Sequence, residues 1–279
     1  MPSWRELVAG ARERLPDPPH PPFEAEELLA RATGRARTWF QTRWRDAAPD
    51  AEAARFASLV ARRAAGEPLQ YLLGEWEFLG RTFTVDDRAL IPRGETEAIV
   101  ELARDLAPDA VSILDAGTGS GILAVSLLLE RPAARLTAVD ISLAALALTR
   151  ENGARFGVSR RLRLVASDWL GALRGGARFD LAVANPPYVP VADAPHLDKT
   201  VSHHEPGVAL YGGDDGLDPL RILLRQLPAV LVPGSLFLFE LGYGQANGVS
   251  AAVEASAFRL ESIRLDVAGI PRTGVARLG

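Results

Sequence analysis

From residue 111 onward, short apolar runs alternate with segments whose apolar residues recur at helical spacing. Residues 111–114, 136–139, 162–165, 179–184 and 235–241 read as strands, and 122–130, 143–156, 217–230 and 245–255 as helices, with a last pair of strands near 258–266 and 273–278. Strand and helix in alternation imply a parallel sheet covered on both faces, with ligands at the carboxyl ends of the strands. Upstream the texture differs. Between Ser3 and Gly66 only helix signals occur: Ser3 and Glu6 have capping-box spacing, 23–32 stops before Gly34, and 52–65 stops at Gly66. Residues 71–85 read as two extended segments punctuated by Gly74 and Gly80, with Trp76, Phe78, Phe83 and Val85 in period-2 positions. The expected organisation is a helical domain over 1–70, a β-hairpin linker over 71–92 and an α/β domain over 93–279.

Composition agrees with a folded chain and removes several chemistries. Of 279 residues, 48% are hydrophobic and 24% charged, close to globular averages. The absence of cysteine excludes disulfides, thiolate nucleophiles and Cys-based zinc sites. A metal would need histidines or carboxylates, and of His20, His196, His203 and His204 only the last two are clustered, so no metal is expected. The N-terminus lacks a basic-then-apolar signal pattern, and the longest uncharged stretch, 227–239, falls short of a membrane span, so a cytoplasmic protein without a membrane partner is expected. A net charge of −4 gives no general footprint for nucleic acid, and no direct nucleic-acid partner is expected. Arg31, Arg35, Arg37, Arg43 and Arg45 cluster around Trp39, Phe40 and Trp44, which reads as a solvated face over a small aromatic core in preference to a contact surface.

Three strand ends carry candidate binding chemistry. After the first strand comes Asp115-Ala116-Gly117-Thr118-Gly119-Ser120-Gly121, where glycines let the main chain approach a ligand and the following helix offers free N–H groups. The spacing is G-x-G-x-G, unlike the G-x-G-x-x-G of dinucleotide binders. Asp140 closes the second strand, where a carboxylate can accept both hydroxyls of a ribose. Asp168 and Trp169 follow the third, an acid and an aromatic plane suited to the amino group and face of adenine. Each residue alone is as readily a turn or a cap. Together they describe an adenosine-containing ligand without a diphosphate, and S-adenosylmethionine fits, with its methionine carboxylate and amine meeting the loop N–H groups and Asp115.

A fourth strand end carries candidate reaction chemistry. Asn185-Pro186-Pro187-Tyr188 follows an apolar strand, and its prolines make a stiff, directional turn. An amide or aryl-amine nitrogen is a poor nucleophile because its lone pair is delocalised. The Asn185 side-chain oxygen and the Pro186 carbonyl supply two acceptors for its N–H groups, and Tyr188 can stack on the planar group. Placement at about 3 to 3.5 Å then does most of the catalysis, without a strong base.

The chain resembles the HemK/PrmC family, the glutamine methyltransferases that modify peptide-chain release factors. The resemblance runs from about Pro68 to the C-terminus. It rests on Glu67-Pro68-Leu69-Gln70-Tyr71-Leu72-Leu73-Gly74, Leu90-Ile91-Pro92-Arg93 with Glu95-Thr96-Glu97, the 117–121 loop, Asp140, Asp168-Trp169, Asn185 to Tyr188, and His204-Glu205-Pro206. It implies a Rossmann-like seven-stranded methyltransferase domain using S-adenosylmethionine. It also implies a helical N-terminal domain that docks a class I release factor, with the glutamine of a Gly-Gly-Gln loop as acceptor. Carried over by position, Gly117, Thr118, Ser120, Asp140 and Trp169 touch the cofactor, and Asn185, Pro186, Pro187 and Tyr188 hold the glutamine. Gly94 stands where related sequences usually have proline, which leaves the rigidity of the 93–97 loop open. Asn-Pro-Pro-Tyr alone is shared with adenine-N6 nucleic-acid methyltransferases. A sibling that methylates a ribosomal protein lacks the Glu-Thr-Glu pattern. A non-catalytic adenosine-binding module is a third alternative, disfavoured by the intact acceptor turn. His203-His204-Glu205 reads as local hydrogen bonding rather than metal ligation, and the loop 191–201 around Lys199 as either a mobile cover or a plain surface excursion.

Overall fold

Alternating apolar strands and helices produce a seven-stranded sheet in the larger of two compact units. The computed structural model describes residues 1–15, 24–173, 176 and 178–279; His20 and Phe23 lie outside the described residues. One unit comprises Met1–Glu75 with Asp198–His204, the other Trp76–Leu197 with Glu205–Gly279.

The first unit is helical: Trp4–Arg12, Glu24–Thr33, Arg37–Phe40, Asp50–Ala64 and Leu69–Leu73, with Lys199–His204. The capping box at Ser3 forms, with the Glu6 N–H on Ser3 Oγ at 3.3 Å and the Ser3 N–H on Glu6 Oε2 at 2.7 Å. Gly34 and Gly66 leave their helices at φ +67° and +100°, a conformation glycine adopts without steric cost. Trp4, Leu28, Leu29, Phe40, Phe56 and Val60 fill the core. Three of the five arginines of the basic stretch are engaged locally: Arg35 pairs with Glu52, Arg37 with Glu27 at 2.8 Å, and the Arg35 and Arg43 guanidinium groups lie 4.6 and 4.7 Å from the Trp39 ring centroid.

One sequence expectation is corrected here. Residues 71–73, read above as extended, belong to the helix Leu69–Leu73, which Pro68 precedes and Gly74 ends at φ +72°. Leu69 and Leu72, three apart, are both buried, so helical period overrides the alternation seen further on. Extended structure begins with β1 (Glu75–Phe78) and β2 (Arg81–Thr84), a two-stranded sheet. Leu79 and Gly80 at φ 49° and 68° make the tight connection, and the strained Leu79 is held by its N–H bond to Glu97 Oε1 at 2.7 Å.

The sheet of the second unit contains β3 (Ser112–Ala116), β4 (Arg135–Asp140), β5 (Leu162–Ala166), β6 (Phe179–Ala184), β7 (Leu231–Glu240), β8 (Phe258–Leu265) and β9 (Pro271–Leu278). Its order is β5-β4-β3-β6-β7-β9-β8; the first five are parallel, and β9 runs antiparallel to both neighbours. Period-2 geometry splits the central strands between two cores. Ile113, Leu181, Val183, Leu236 and Leu238 join the helices Glu97–Leu106 and Ile122–Glu130 on one face. Leu114, Ala182, Ala184, Phe237 and Phe239 join Asp218–Gln226 and Ala246–Glu254 on the other. With both faces covered, the functional chemistry is left to the strand ends.

Candidate active site

Register brings the carboxyl ends level. Ala116 stands beside Val139, Asp140 beside Ala166, and Ala184 beside Phe239. Connectivity leaves β3 in one direction through β4 and in the other through β6, so a crevice opens between the turns that follow these two strands. A cavity fills it. Gly117, Thr118, Gly119, Ser120, Asp140, Asp168 and Trp169 line one side, and Asn185, Pro187 and Thr96 another.

The wall that carries the 117–120 turn is shaped by main chain and by the Asp140 and Trp169 side chains. Gly117 and Gly119 lie at φ +79° and +56°, and a Cβ on Gly117 would sit 3.7 Å from the Trp169 ring, itself held at φ 45°. The Gly119 N–H donates to Asp140 Oδ2 at 2.9 Å and the Ser142 N–H to Oδ1 at 2.8 Å. Each carboxylate oxygen still has a second lone pair. Asp115 and Gly121 stand behind this wall rather than on it. Asp115 is fully buried and accepts the Thr118 hydroxyl at 2.7 Å; burial pushes its carboxyl up to about 7, and the nearby Asp140 charge adds to the rise. Gly121, at φ +79°, meets the helix Leu143–Arg155, and a Cβ there would lie 2.7 Å from Thr149 Cγ2.

The wall that carries Asn185 is a network of side chains. The Asn185 Nδ2 group donates to Thr96 Oγ1 at 3.1 Å, Thr96 donates to Glu240 Oε2 at 2.6 Å, and the Tyr188 hydroxyl donates to Glu240 Oε1 at 3.0 Å. Burial raises the Glu240 carboxyl, against which its two hydroxyl donors and Arg272 pull down; burial, then the Glu240 charge, raises the Tyr188 phenol. Gln245 Nε2 donates to the Tyr188 carbonyl at 2.9 Å. Pro186 is buried, and neither it nor Tyr188 is part of the cavity wall. Among the described residues no donor reaches Asn185 Oδ1 or the Pro186 carbonyl.

Two distant motifs meet on the same cavity. Glu205 Oε2 accepts the Ile91 N–H at 3.0 Å and Oε1 accepts Arg93 Nη2 at 2.5 Å, while Ile91, Arg93 and Pro206 line the cavity. The carboxylate beside His203 and His204 is thus committed to the 91–93 segment. Among the described residues no group of three or more His, Asp or Glu could hold a metal ion. None of their helices is long and apolar enough to cross a membrane.

Sequence reasoning named Asn185, Tyr188, Asp115, Asp140, Asp168 and Trp169, and missed Glu240 and Gln245. Glu240 closes an apolar strand as Asp140 does, but nothing along the chain marks that strand as the neighbour of the one preceding Asn185.

An acid with spare lone pairs, an aromatic plane and a glycine-rich turn share one cavity, a set of groups able to hold an adenosyl ligand. The PrmC N-terminal domain family matches residues 6–74 and the methyltransferase small domain family residues 97–200. A release factor glutamine methyltransferase from Moorella thermoacetica is 42% identical over 98% of this chain and 94% of its own length. Its counterpart from Deinococcus radiodurans is 41% identical over 98% of both. Among solved structures, a methyltransferase from Pyrococcus furiosus shares the fold with a TM-score of 0.54 at 19% identity, covering 81% of this chain and 98% of that one. Fold and cavity together define an S-adenosylmethionine-dependent methyltransferase with a Rossmann-like domain and an N-terminal helical region. The chain belongs to the release factor glutamine methyltransferase family.

Proposed function

We propose that this chain transfers the methyl group of S-adenosylmethionine to the side-chain amide nitrogen of the glutamine in the Gly-Gly-Gln loop of class I release factors. The carrying observation is that Asn185, with its oxygen unclaimed, shares one cavity with Gly117, Asp140 and Trp169. When bound, the cofactor supplies an electrophilic methyl group on a sulfonium sulfur. Asp140 accepts the ribose hydroxyls, Trp169 covers the adenine face and Asp168 takes its amino group. Thr118, Gly119 and Ser120 receive the methionine end, with Asp115 holding Thr118 from behind.

Asn185 Oδ1, on the cavity, accepts one N–H bond of the glutamine amide. The carbonyl of Pro186, a residue outside the cavity lining, is reached by no donor among the described residues and is the second acceptor the amide must reach. Together they oppose delocalisation of the nitrogen lone pair and fix its line of approach. Pro187 and Tyr188 keep that corner rigid, Tyr188 through Glu240 and Gln245. The substrate is a protein and not nucleic acid, a reading supported by the net charge of −4, and a release factor as substrate places the enzyme in the cytoplasm. Incubation with labelled cofactor and either a purified release factor or DNA tests this, read by mass spectrometry of the Gly-Gly-Gln peptide. Label on that glutamine is expected; label on DNA alone would overturn it.

A further inference from the structure

We infer that Glu240, acting through Thr96, is a positioning residue that decides which way the Asn185 carboxamide faces. The inference rests on the acceptor role given to Asn185 above. A carboxamide has two ends of nearly equal size, and only the oxygen end can accept an N–H bond from a substrate amide; the reversed group would set donor against donor.

In its ionised form, which the Thr96 and Tyr188 hydroxyl donors and Arg272 favour against burial, Glu240 can only accept. Both Glu240 oxygens are addressed by hydroxyls, Tyr188 on one and Thr96 on the other. Thr96 has a single hydroxyl hydrogen, and the 2.6 Å bond to Glu240 consumes it. Toward Asn185, 3.1 Å away, Thr96 therefore offers lone pairs alone, and Asn185 must present its NH2 group. The oxygen is left for the substrate. Water does not readily substitute in this relay, because Thr96 is 1% and Glu240 3% exposed. The fold supplies the juxtaposition: Thr96 ends the 3-10 turn Gly94–Thr96, Glu240 ends β7, and Asn185 follows the adjacent β6.

Steady-state methylation of a release factor, with calorimetric cofactor binding, tests the relay. Thr96→Val keeps the shape and removes the hydroxyl; kcat should fall roughly ten- to hundredfold while cofactor affinity stays within about twofold. Thr96→Ser keeps the hydroxyl and should restore most of kcat. A role in packing alone predicts the reverse order, since valine fills the space and serine does not. In an Asn185→Ala background Thr96→Val should add little, as expected of groups acting in series. Glu240→Gln, which can donate as well as accept, should lower kcat by less than Thr96→Val does, and it serves as the second probe if that variant melts early. Wild-type kcat in Thr96→Val, serine worse than valine, an undiminished loss in the Asn185→Ala background, or wild-type kcat in Glu240→Gln would each overturn the relay. Failure of the wild-type enzyme to methylate glutamine at all would instead refute the proposed function, and is read before any variant.

Discussion

The two walls of the cavity are built by different means. On the cofactor side, residues 117–121 form a continuous turn, and its supports are near in sequence, with Gly119 bonded to Asp140 only 21 residues on. On the acceptor side, Asn185 is held by Thr96, 89 residues away, and Thr96 by Glu240, 144 residues away. Main-chain shape is thus set by local glycine and proline chemistry, whereas the orientation of a side-chain amide is set by strand order. Binding should be sensitive to the first wall and turnover to the second.

The sharpest way to break that contrast is Asn185→Ala. Loss of a contact made mainly in the transition state should cost about two orders of magnitude or more in kcat, with cofactor affinity retained. Unchanged turnover would remove the acceptor role. On the opposite wall, Asp140→Ala should weaken cofactor binding by about 1 to 3 kcal/mol, through lost ribose hydrogen bonds and a loosened Gly119 turn. Equal affinity by calorimetry would exclude that assignment.

What the sequence shows of each wall follows the same division. The period-2 strands, the turn at 117–121 and the stiff corner at 185–188 are readable because each depends on neighbours along the chain. Glu240 was not singled out: at the end of an apolar run a lone acid is indistinguishable from a strand-terminating surface residue until the β6–β7 register sets Ala184 beside Phe239. Glu205 likewise acquires its role only when the fold brings it to Ile91 and Arg93. The error over 71–73 has a different origin, a period of two accepted across a Gly74 that in fact ends a helix.

Asp115 offers a smaller, pH-dependent test of the cofactor-side wall. Its carboxyl is raised by burial from 3.8 to about 7, so between these values the native state holds a proton that the unfolded chain has released. This contribution to stability is complete below the unfolded value and is lost as pH rises through the folded one, with a slope of at most about 1.4 kcal/mol per pH unit. Asp115→Asn should flatten that part of the profile in denaturant titrations of the cofactor-free protein. An unaltered slope would show that the carboxyl is ionised throughout.

The smallest effect concerns Gly94, on the acceptor side. Its loop is already fixed at three points, by Arg93 on Glu205, Thr96 on Glu240 and Glu97 on the Leu79 N–H. Glycine therefore leaves its mark mainly on the unfolded chain, where it adds conformations that folding must remove. Proline is compatible with the site. Gly94 opens a 3-10 turn, a Cβ there meets no atom within 4 Å, and Arg93 lies at φ −103°, ψ 146°, the extended region favoured before proline. Gly94→Pro should raise stability by about 0.4 to 1 kcal/mol with kcat unchanged. A gain in kcat alongside stability would mean that the loop limits placement of Thr96, and would move Gly94 from the unfolded-state account into the acceptor wall itself.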